Sequence, residues 1–244
     1  MKFLFAIAAI LAPLAAQSPI RVAYACPEED VRAFGLDCSE DEPCPVFLEL
    51  VSAAMAGSRL FVAGNLHTAT TTLYGVLLLS EDGGVNWKEP HPPPRAAALD
   101  QIQFIDDEYG WVSGAVLDPL PRDPFLWITT DGGKSWKEQR LFDDMTFGSI
   151  GQFHFESRTN GQLVLERPPG AEHPHELLET KTGGQTWSSK QISSSPIRLN
   201  QSRSPEGDLR LRADAGSKTY HLEKHAGEKW ESVASFLIHP LDCK

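Results

Sequence analysis

The sequence predicts an all-β protein, a small β-propeller of about four four-stranded blades. One observation is a repeated octet whose closing tryptophans, Trp87, Trp136, Trp187 and Trp230, are spaced by 49, 51 and 43 residues. Periods of this size are typical of propellers, solenoids and arrays. The other observation is that the intervals between the octets consist of short strand-like segments separated by turn-forming residues. The chain contains 19 Gly and 18 Pro. After the N-terminal apolar run, no segment shows a convincing helical period of 3.6 residues.

The octet consists of Ser or Thr, any residue, Asp or Thr, two glycines, two further residues, and Trp. Its copies contain Ser80, Asp82, Gly84 and Trp87; Thr129, Asp131, Gly133 and Trp136; Thr180, Gly184 and Trp187; and, in a worn fourth copy, Trp230. An Asp in a turn accepts backbone N–H groups, and glycine permits the positive φ of a tight hairpin. The Trp then buries a large ring between neighbouring units. We therefore interpret the octet as structural and predict that Asp82 and Asp131 lock turns.

Each interval between octets holds about four strands. In the second interval these are segments 102–105, 109–114 and 125–128, followed by the strand that starts at Trp136. Four strands in about 45–50 residues are typical of one propeller blade.

The octet resembles the Asp-box, also called the bacterial neuraminidase repeat. That motif occurs in sialidases, related glycosidases, sortilin-type receptors and photosystem II stability/assembly factor-like proteins, and segment 104–114 is most similar to the last group. The resemblance covers about residues 45–236 and implies Asp-box turns on a β-propeller. It implies no activity, because the box occurs on catalytic and non-catalytic propellers alike. Relatives usually have six or more blades, and a ring of four is at the small end of the known range. Three ways of closing it are left open: four blades alone, an extra strand from residues 21–25 or 236–239, or pairing with a second copy.

The N-terminus is predicted to be a signal peptide, residues 1–16. Lys2 precedes an apolar run over residues 3–14, and Leu14-Ala15-Ala16 before Gln17 reads as a cleavage site. An uncleaved N-terminal anchor is the alternative. We expect a secreted or periplasmic protein without a membrane span in the mature chain. The net charge of −11 argues against nucleic acid or an anionic membrane surface as partner.

Four cysteines, Cys26, Cys38, Cys44 and Cys243, predict two disulfides in an exported protein, with three possible connectivities. A zinc site is disfavoured because no Cys-x-x-Cys pair exists. The acidic stretch from Cys26 to Cys44 is interpreted as a solvated, disulfide-pinned loop rather than a calcium site. No metal and no cofactor are therefore expected. The predicted organisation is a signal peptide (1–16), an N-terminal Cys-containing acidic segment (17–44), the propeller (45–236) and a C-terminal tail with Cys243 (237–244).

Alternating strand direction predicts two different faces. The octet turns and the short first hairpins share one, here called the octet face. The other, the long-loop face, receives long, proline-rich loops at 65–72, 90–98, 115–124, 141–149 and 167–174. Binding usually lies on such loops. The candidate ligand-binding residues are His67, Arg95, Arg122, His173 and His175, expected to form a local positive cluster for an anionic group.

Catalytic constellations are not found in the sequence. Resemblance to sialidases would imply an arginine cluster, a Tyr–Glu pair and an acid Asp. The order Ser18-Pro19-Ile20-Arg21 is wrong for the first arginine, and the four tyrosines of the chain match no such pair. His173-Pro174-His175 lacks a third metal ligand, and Asp143-Asp144 would point apart. We predict a non-catalytic binding module for a protein or glycan. The alternative is a reduced sialidase-like exo-glycosidase, and the oligomeric state is left open.

Overall fold

The computed structural model describes residues 18–199 and 208–244, so the predicted signal peptide lies outside the described residues. This part contains one helix and fifteen strands. They are α1 (Glu28–Ala33), β1 (Cys44–Ala56), β2 (Arg59–His67), β3 (Thr72–Ser80), β4 (Ala97–Phe104), β5 (Gly110–Leu117), β6 (Pro121–Thr129), β7 (Lys137–Arg140), β8 (Ser149–Phe155), β9 (Gly161–Glu166), β10 (His175–Thr180), β11 (Ser188–Ser193), β12 (Leu209–Asp214), β13 (Thr219–Ala226), β14 (Lys229–Leu237) and β15 (Leu241–Cys243). The predicted all-β class is confirmed.

The strands form four antiparallel sheets, the blades of a small β-propeller. Blade 1 has the order β15-β1-β2-β3, blade 2 β4-β5-β6-β7, and blade 3 β11-β10-β9-β8. Blade 4 contains β12-β13-β14 in the described residues, directly after the undescribed residues 200–207. The prediction of about four blades is confirmed.

Three apolar clusters lie between successive blades. Blades 4 and 1 share a core that includes Leu222, Phe236 and Val62. A second cluster joins blades 1 and 2, and a third joins blades 2 and 3, where Trp111 stacks on Phe155 with ring centroids 3.7 Å apart. Blades 1 and 2 therefore have apolar side chains on both faces, because each of them packs against a neighbouring blade on either side.

The first strands of blades 1 to 3 share a β-bulge. Pairing with the second strand shifts register at Val51, Asp100 and Gly151. These positions are 49 and 51 residues apart, the same spacings as the first three octets. A bulge turns the following side chain out of its regular direction.

The residue after each of the first two bulges bonds to the next blade. The Ser52 hydroxyl accepts the Ile102 N–H at 3.1 Å. The Gln101 amide donates to the Phe153 carbonyl at 2.9 Å and accepts the Phe153 N–H at 3.0 Å. Two residues further along β4, the Gln103 amide makes the same pair of hydrogen bonds with the backbone of Phe155. Side-chain amides thus join neighbouring blades where no strand pairing does.

The first described residues and the C-terminal residues meet beside blades 4 and 1. Ile20 pairs in parallel with Phe236 of β14, and β15 pairs with the start of β1. Disulfides join Cys26 to Cys243 and Cys38 to Cys44, which confirms the two predicted bridges and selects one of the three connectivities. The extra strand is residues 241–243, not 21–25 or 236–239. The segment predicted as a tail therefore contributes a strand to blade 1, because its backbone pairs with the start of β1.

The acidic segment is not simply a solvated loop. Its helix α1 carries Asp30, which is only 2% exposed. The reason is that Tyr24, Tyr74 and Arg95 together supply partners for a buried carboxylate. No helix of the described residues has both the length and the apolar character needed to cross a membrane.

Candidate functional site

The octet of blade 2 surrounds one carboxylate with donors. Asp131 Oδ1 accepts the N–H groups of Lys134 and Ser135, both at 3.0 Å, and the Thr129 hydroxyl at 2.9 Å. Burial by itself would raise the pKa of Asp131. The hydrogen bonds from Ser135, Thr129 and Lys134 outweigh burial and lower this pKa to about 2. A carboxylate so fully occupied and so acidic cannot act as a proton donor near neutral pH.

The other octets vary this scheme. Asp82 accepts the backbone and side-chain N–H groups of Asn86 and the Ser80 hydroxyl, and its pKa falls to about 2. In the third copy, the Thr182 hydroxyl accepts the Thr186 N–H at 2.9 Å in place of a carboxylate. The fourth copy is a tight β13–β14 hairpin in which Gly227 has a φ of +65°.

The octet turns and the first hairpins lie side by side. Gly132 N–H donates to the Glu108 carbonyl, and Gly183 N–H donates to the Thr159 carbonyl.

The octet face also contains two grooves. A groove of about 660 Å³ between blades 1 and 4 is lined in part by Met55, Glu81, Lys224 and Val233. A smaller one of about 200 Å³ lies on blade 3 beside Gln162 and Glu179. The sequence interpretation, which saw only short occupied turns here, missed both grooves.

Arg95, one of the candidate ligand-binding residues, holds the N-terminal segment. Its guanidinium lies 2.9 Å from Glu29 Oε1 and 2.8 Å from Asp30 Oδ1. The same group sits over the Phe34 ring, 5.2 Å from its centroid. Its positive charge is therefore already matched by carboxylates of the chain.

Arg122 is matched in the same way. Its guanidinium lies 2.7 Å from Asp123 Oδ2 and 3.3 Å from Asp118 Oδ2. An incoming anion would have to compete with both carboxylates.

The three candidate histidines make contacts of their own. His67 Nδ1 is 2.8 Å from the Thr68 carbonyl, and its ring neighbours Phe47. His173 is exposed near Glu172, and His175 begins β10. Among the hydrogen bonds and ion pairs of the described residues, none joins any two of the five candidates. The positive cluster therefore stays a prediction, and the contacts described here show that Arg95 and Arg122 are already paired with carboxylates of the chain.

The long-loop face instead carries an exposed apolar surface, here called the paired-loop patch and defined by Leu120, Met145 and Phe147. These side chains are 49%, 64% and 44% exposed. They make up half of the six large apolar side chains exposed in the described residues. Sequence reasoning missed them, although apolar residues inside Pro- and Asp-rich loops, as in Pro-Leu-Pro and Asp-Asp-Met-Thr-Phe, were a visible signal.

Backbone bonds hold the two loops of this patch together. Phe147 lies opposite Arg122 in an antiparallel bridge. Gly148 N–H donates to the Pro121 carbonyl and Asp123 N–H to the Thr146 carbonyl, both at 2.8 Å. Thr146 N–H also donates to Asp123 Oδ1 at 3.2 Å. The apolar side chains therefore stand on a connected platform rather than on two independent loops.

A second group of interest lies at the β4 bulge. Asp100, at the bulge of β4, is open to solvent on one side, yet surrounding protein displaces much of its hydration. This burial and, secondarily, the negative charge of Glu49 raise the pKa of Asp100 to about 6. A carboxyl group with a perturbed pKa is a recognised marker of functional sites. In the sequence, Asp100 is a charged residue that interrupts an apolar strand.

No set of three or more potential ligands is arranged to hold a metal ion in the described part of the chain.

Comparisons with known proteins give similarities of fold. No protein-family model matches the chain, and comparison with curated proteins gives no match. Among solved structures, a complex of YCF48 with a D1 peptide is 16% identical, with a TM-score of 0.44, and the match covers 78% of this chain and 56% of that one. YCF48 from Cyanidioschyzon merolae gives 17% identity, a TM-score of 0.41, and coverage of 78% and 57%. A GH74 xyloglucanase from Xanthomonas campestris is 15% identical, with a TM-score of 0.41, and the match covers 75% of this chain and 28% of that one.

The chain thus spans a little over half the length of the YCF48 structures. Similarities at this level assign neither an activity nor a partner to it.

Proposed function

We propose that the protein is a secreted, non-catalytic binding module that holds a protein partner on the paired-loop patch. The carrying observation is the exposure of Leu120, Met145 and Phe147 on two hydrogen-bonded loops of the long-loop face. Clustered exposed apolar side chains on a soluble domain mark interaction sites.

The chemistry of the patch favours protein over glycan. A sugar presents many hydroxyl groups that lose water on binding and need polar partners. Near the patch, the side chains of Arg122 and Asp123 already bond to groups of the chain. Aliphatic, thioether and phenyl surfaces, in contrast, gain free energy when apolar side chains of a partner cover them.

The platform also reduces the cost of binding. Ordering a free loop on association costs free energy for each immobilised side chain. Here the backbone bonds between Pro121 and Gly148 and between Asp123 and Thr146 are already formed. Little ordering is left to occur when the partner arrives.

Site-specific photo-crosslinking in the native host tests the proposal. A photoreactive phenylalanine analogue replaces Phe147, and in a matched control it replaces Ile192, which is 58% exposed on β11. We expect a discrete protein adduct from position 147 that disappears when Leu120→Ser and Met145→Ser are added. The proposal fails if no adduct forms, or if position 192 gives the same adducts.

Export is part of the proposal and is tested separately. Two disulfides fit an oxidising compartment, while the signal peptide stays a prediction. Intact-mass measurement of exported protein should show a chain starting near Gln17 that gains about four mass units on reduction, one for each thiol formed. Four free thiols in that material would contradict it.

Glycoside hydrolysis is the second candidate, and one observation favours it. Asp100 has a pKa raised to about 6 next to the charge of Glu49, and glycosidases use carboxyl pairs of which one is kept protonated. Purified protein should nevertheless show no turnover of aryl-sialosides or simple aryl-glycosides. Turnover that Asp100→Asn abolishes would replace the binding-module proposal by this one.

A further inference from the structure

We infer that the partner offers the paired-loop patch a basic amphipathic segment, with apolar side chains flanked by Lys or Arg. This inference rests on the proposed function and specifies the partner's chemistry. The inference replaces the expected anionic ligand with a cationic one, and it is based on the charges around the patch.

The two loops are strongly acidic. Segments 117–124 and 141–149 contain the carboxylates Asp118, Asp123, Asp143 and Asp144 and one basic residue, Arg122. Four negative charges and one positive charge leave a local net charge of −3. Within an overall charge of −11 for the full sequence, this region adds to the field of the molecule rather than opposing it.

Arg140 is exposed directly before segment 141–149, whereas the cation inside the two segments, Arg122, is not available. Arg122 lies 2.7 Å from Asp123, whose side chain is 10% exposed, and 3.3 Å from Asp118. An anion approaching Arg122 would meet both of these carboxylates first. Like charges across an interface are unfavourable and exclude such partners.

The available charges are carboxylates at the edge of the apolar surface. Asp143 and Asp144 are exposed, directly precede Met145, and take part in no ion pair of the described residues. Asp118, two residues before Leu120, is 68% exposed as well, but it shares Arg122 with Asp123. Apolar side chains with carboxylates beside them complement a partner segment in which apolar residues alternate with Lys or Arg or are flanked by them.

Synthetic peptides provide a defined probe. One dye-labelled nine-residue peptide alternates Lys with Leu or Phe, a second has Glu in place of every Lys, and a third has Ser in place of every Leu and Phe. Binding to the full mature protein is measured by fluorescence anisotropy at low and at moderate salt. We expect the Lys peptide to bind, the Glu and Ser peptides to bind at least about tenfold more weakly, and salt to weaken the Lys peptide.

Variants separate local from global charge. Asp143→Asn with Asp144→Asn should weaken the Lys peptide by about three- to tenfold and flatten its salt dependence. A matched control removes the same two charges from the exposed N-terminal segment, as Glu40→Gln with Asp41→Asn, and should change binding by less than about twofold. Met145→Ser with Phe147→Ser should remove the binding. All six positions are at the surface, so circular dichroism should show folded variants.

The outcomes distinguish the two proposals. Equal losses in the Asp143/Asp144 pair and in the control pair would mean that only the overall charge acts, which overturns the inference. So would equal binding of the Lys and Glu peptides. If the crosslink from position 147 depends on Met145 while removal of Asp143 and Asp144 leaves it unchanged, the binding-module proposal stands and the basic-partner inference fails.

Discussion

The hydroxyl group of Tyr74 lies 3.0 and 2.9 Å from the two carboxylate oxygens of Asp30 and donates to them. Tyr74 belongs to β3 and Asp30 to α1, so this contact fastens the N-terminal segment to blade 1. Tyr24 donates to the same carboxylate at 2.8 Å, and Arg95 supplies the balancing charge. Burial, followed by the hydrogen bond to Asp30, raises the pKa of Tyr74, which keeps its hydroxyl a donor. A buried charge is tolerated here because every partner is present.

Tyr74→Phe should therefore lower the free energy of unfolding by about 1–2 kcal/mol, since Asp30 loses one donor but keeps two. Asp30→Ala should cost more, about 3 kcal/mol, because it leaves Arg95 without its buried partner. Urea unfolding measures both. Tyr109→Phe, at a partly exposed hairpin position, is the control and should change stability by less than about 0.5 kcal/mol. Equal effects of the two Tyr→Phe changes would contradict the anchoring role.

Trp136→Ala should destabilise the protein by about 3–5 kcal/mol, since the ring fills space between Phe61 of blade 1 and Phe104 of blade 2. Trp230→Ala, on the more exposed β14, is the matched control and should cost clearly less. Thermal or urea unfolding of the two variants provides the comparison. A smaller effect at Trp136 would show that the octet tryptophan is not an interblade packing residue.

Asp131→Ala should cost about 1–3 kcal/mol near neutral pH, because turn N–H groups lose their acceptor. The folded pKa of about 2 lies below the value of about 3.9 expected in the unfolded chain. The carboxylate therefore stabilises the fold above about pH 4 and loses this effect as pH falls through 2. The difference between wild type and variant should shrink over that window in acid unfolding curves. A binding defect with unchanged stability would instead make Asp131 a ligand-binding residue.

Gln103→Ala should destabilise by about 2–4 kcal/mol. Gln103 is 2% exposed, and its amide is bonded to both the N–H and the carbonyl of Phe155. Truncation leaves a buried backbone donor and acceptor unpaired. Gln191→Ala, on the exposed β11, is the control and should be neutral within about 0.5 kcal/mol. Chemical unfolding decides, and equal effects would show that the amide bonds between blades contribute nothing.

Asp100→Asn should stabilise the protein at pH 7 and leave it unchanged near pH 4. The folded pKa of about 6 exceeds the unfolded value of about 3.9, so the folded state binds more protons between these values. Stability from this group is present below about pH 4 and is lost as pH rises through 6. Because the side chain meets solvent, the gain should be only about 1 kcal/mol. Unfolding free energies across pH 4–8 that run parallel for both proteins would refute this.

The fold was predictable where a local pattern determines structure. The octets fix turns through side-chain bonds within eight residues, and their spacing gives the number of blades. The site depends on contacts between distant residues. Arg95 was predicted as a free cation because nothing in the sequence places Glu29 and Asp30 beside it across 65 residues of chain. The sequence shows that Asp123 follows Arg122. It does not show that the loops containing Arg122 and Phe147 pair and expose Met145 beside the acidic residues.

The pairing of β15 with β1 has a consequence for how the protein is made. The first blade begins at Cys44 but obtains its remaining strand from residues 241–243, and Cys26 finds its disulfide partner at Cys243. During synthesis, blades 2 and 3 can assemble from consecutive chain as it emerges. Blade 1 stays incomplete, and Cys26 lacks its disulfide partner, until residues 241–243 have been made. The blade that is synthesised first is therefore completed after blades 2 and 3.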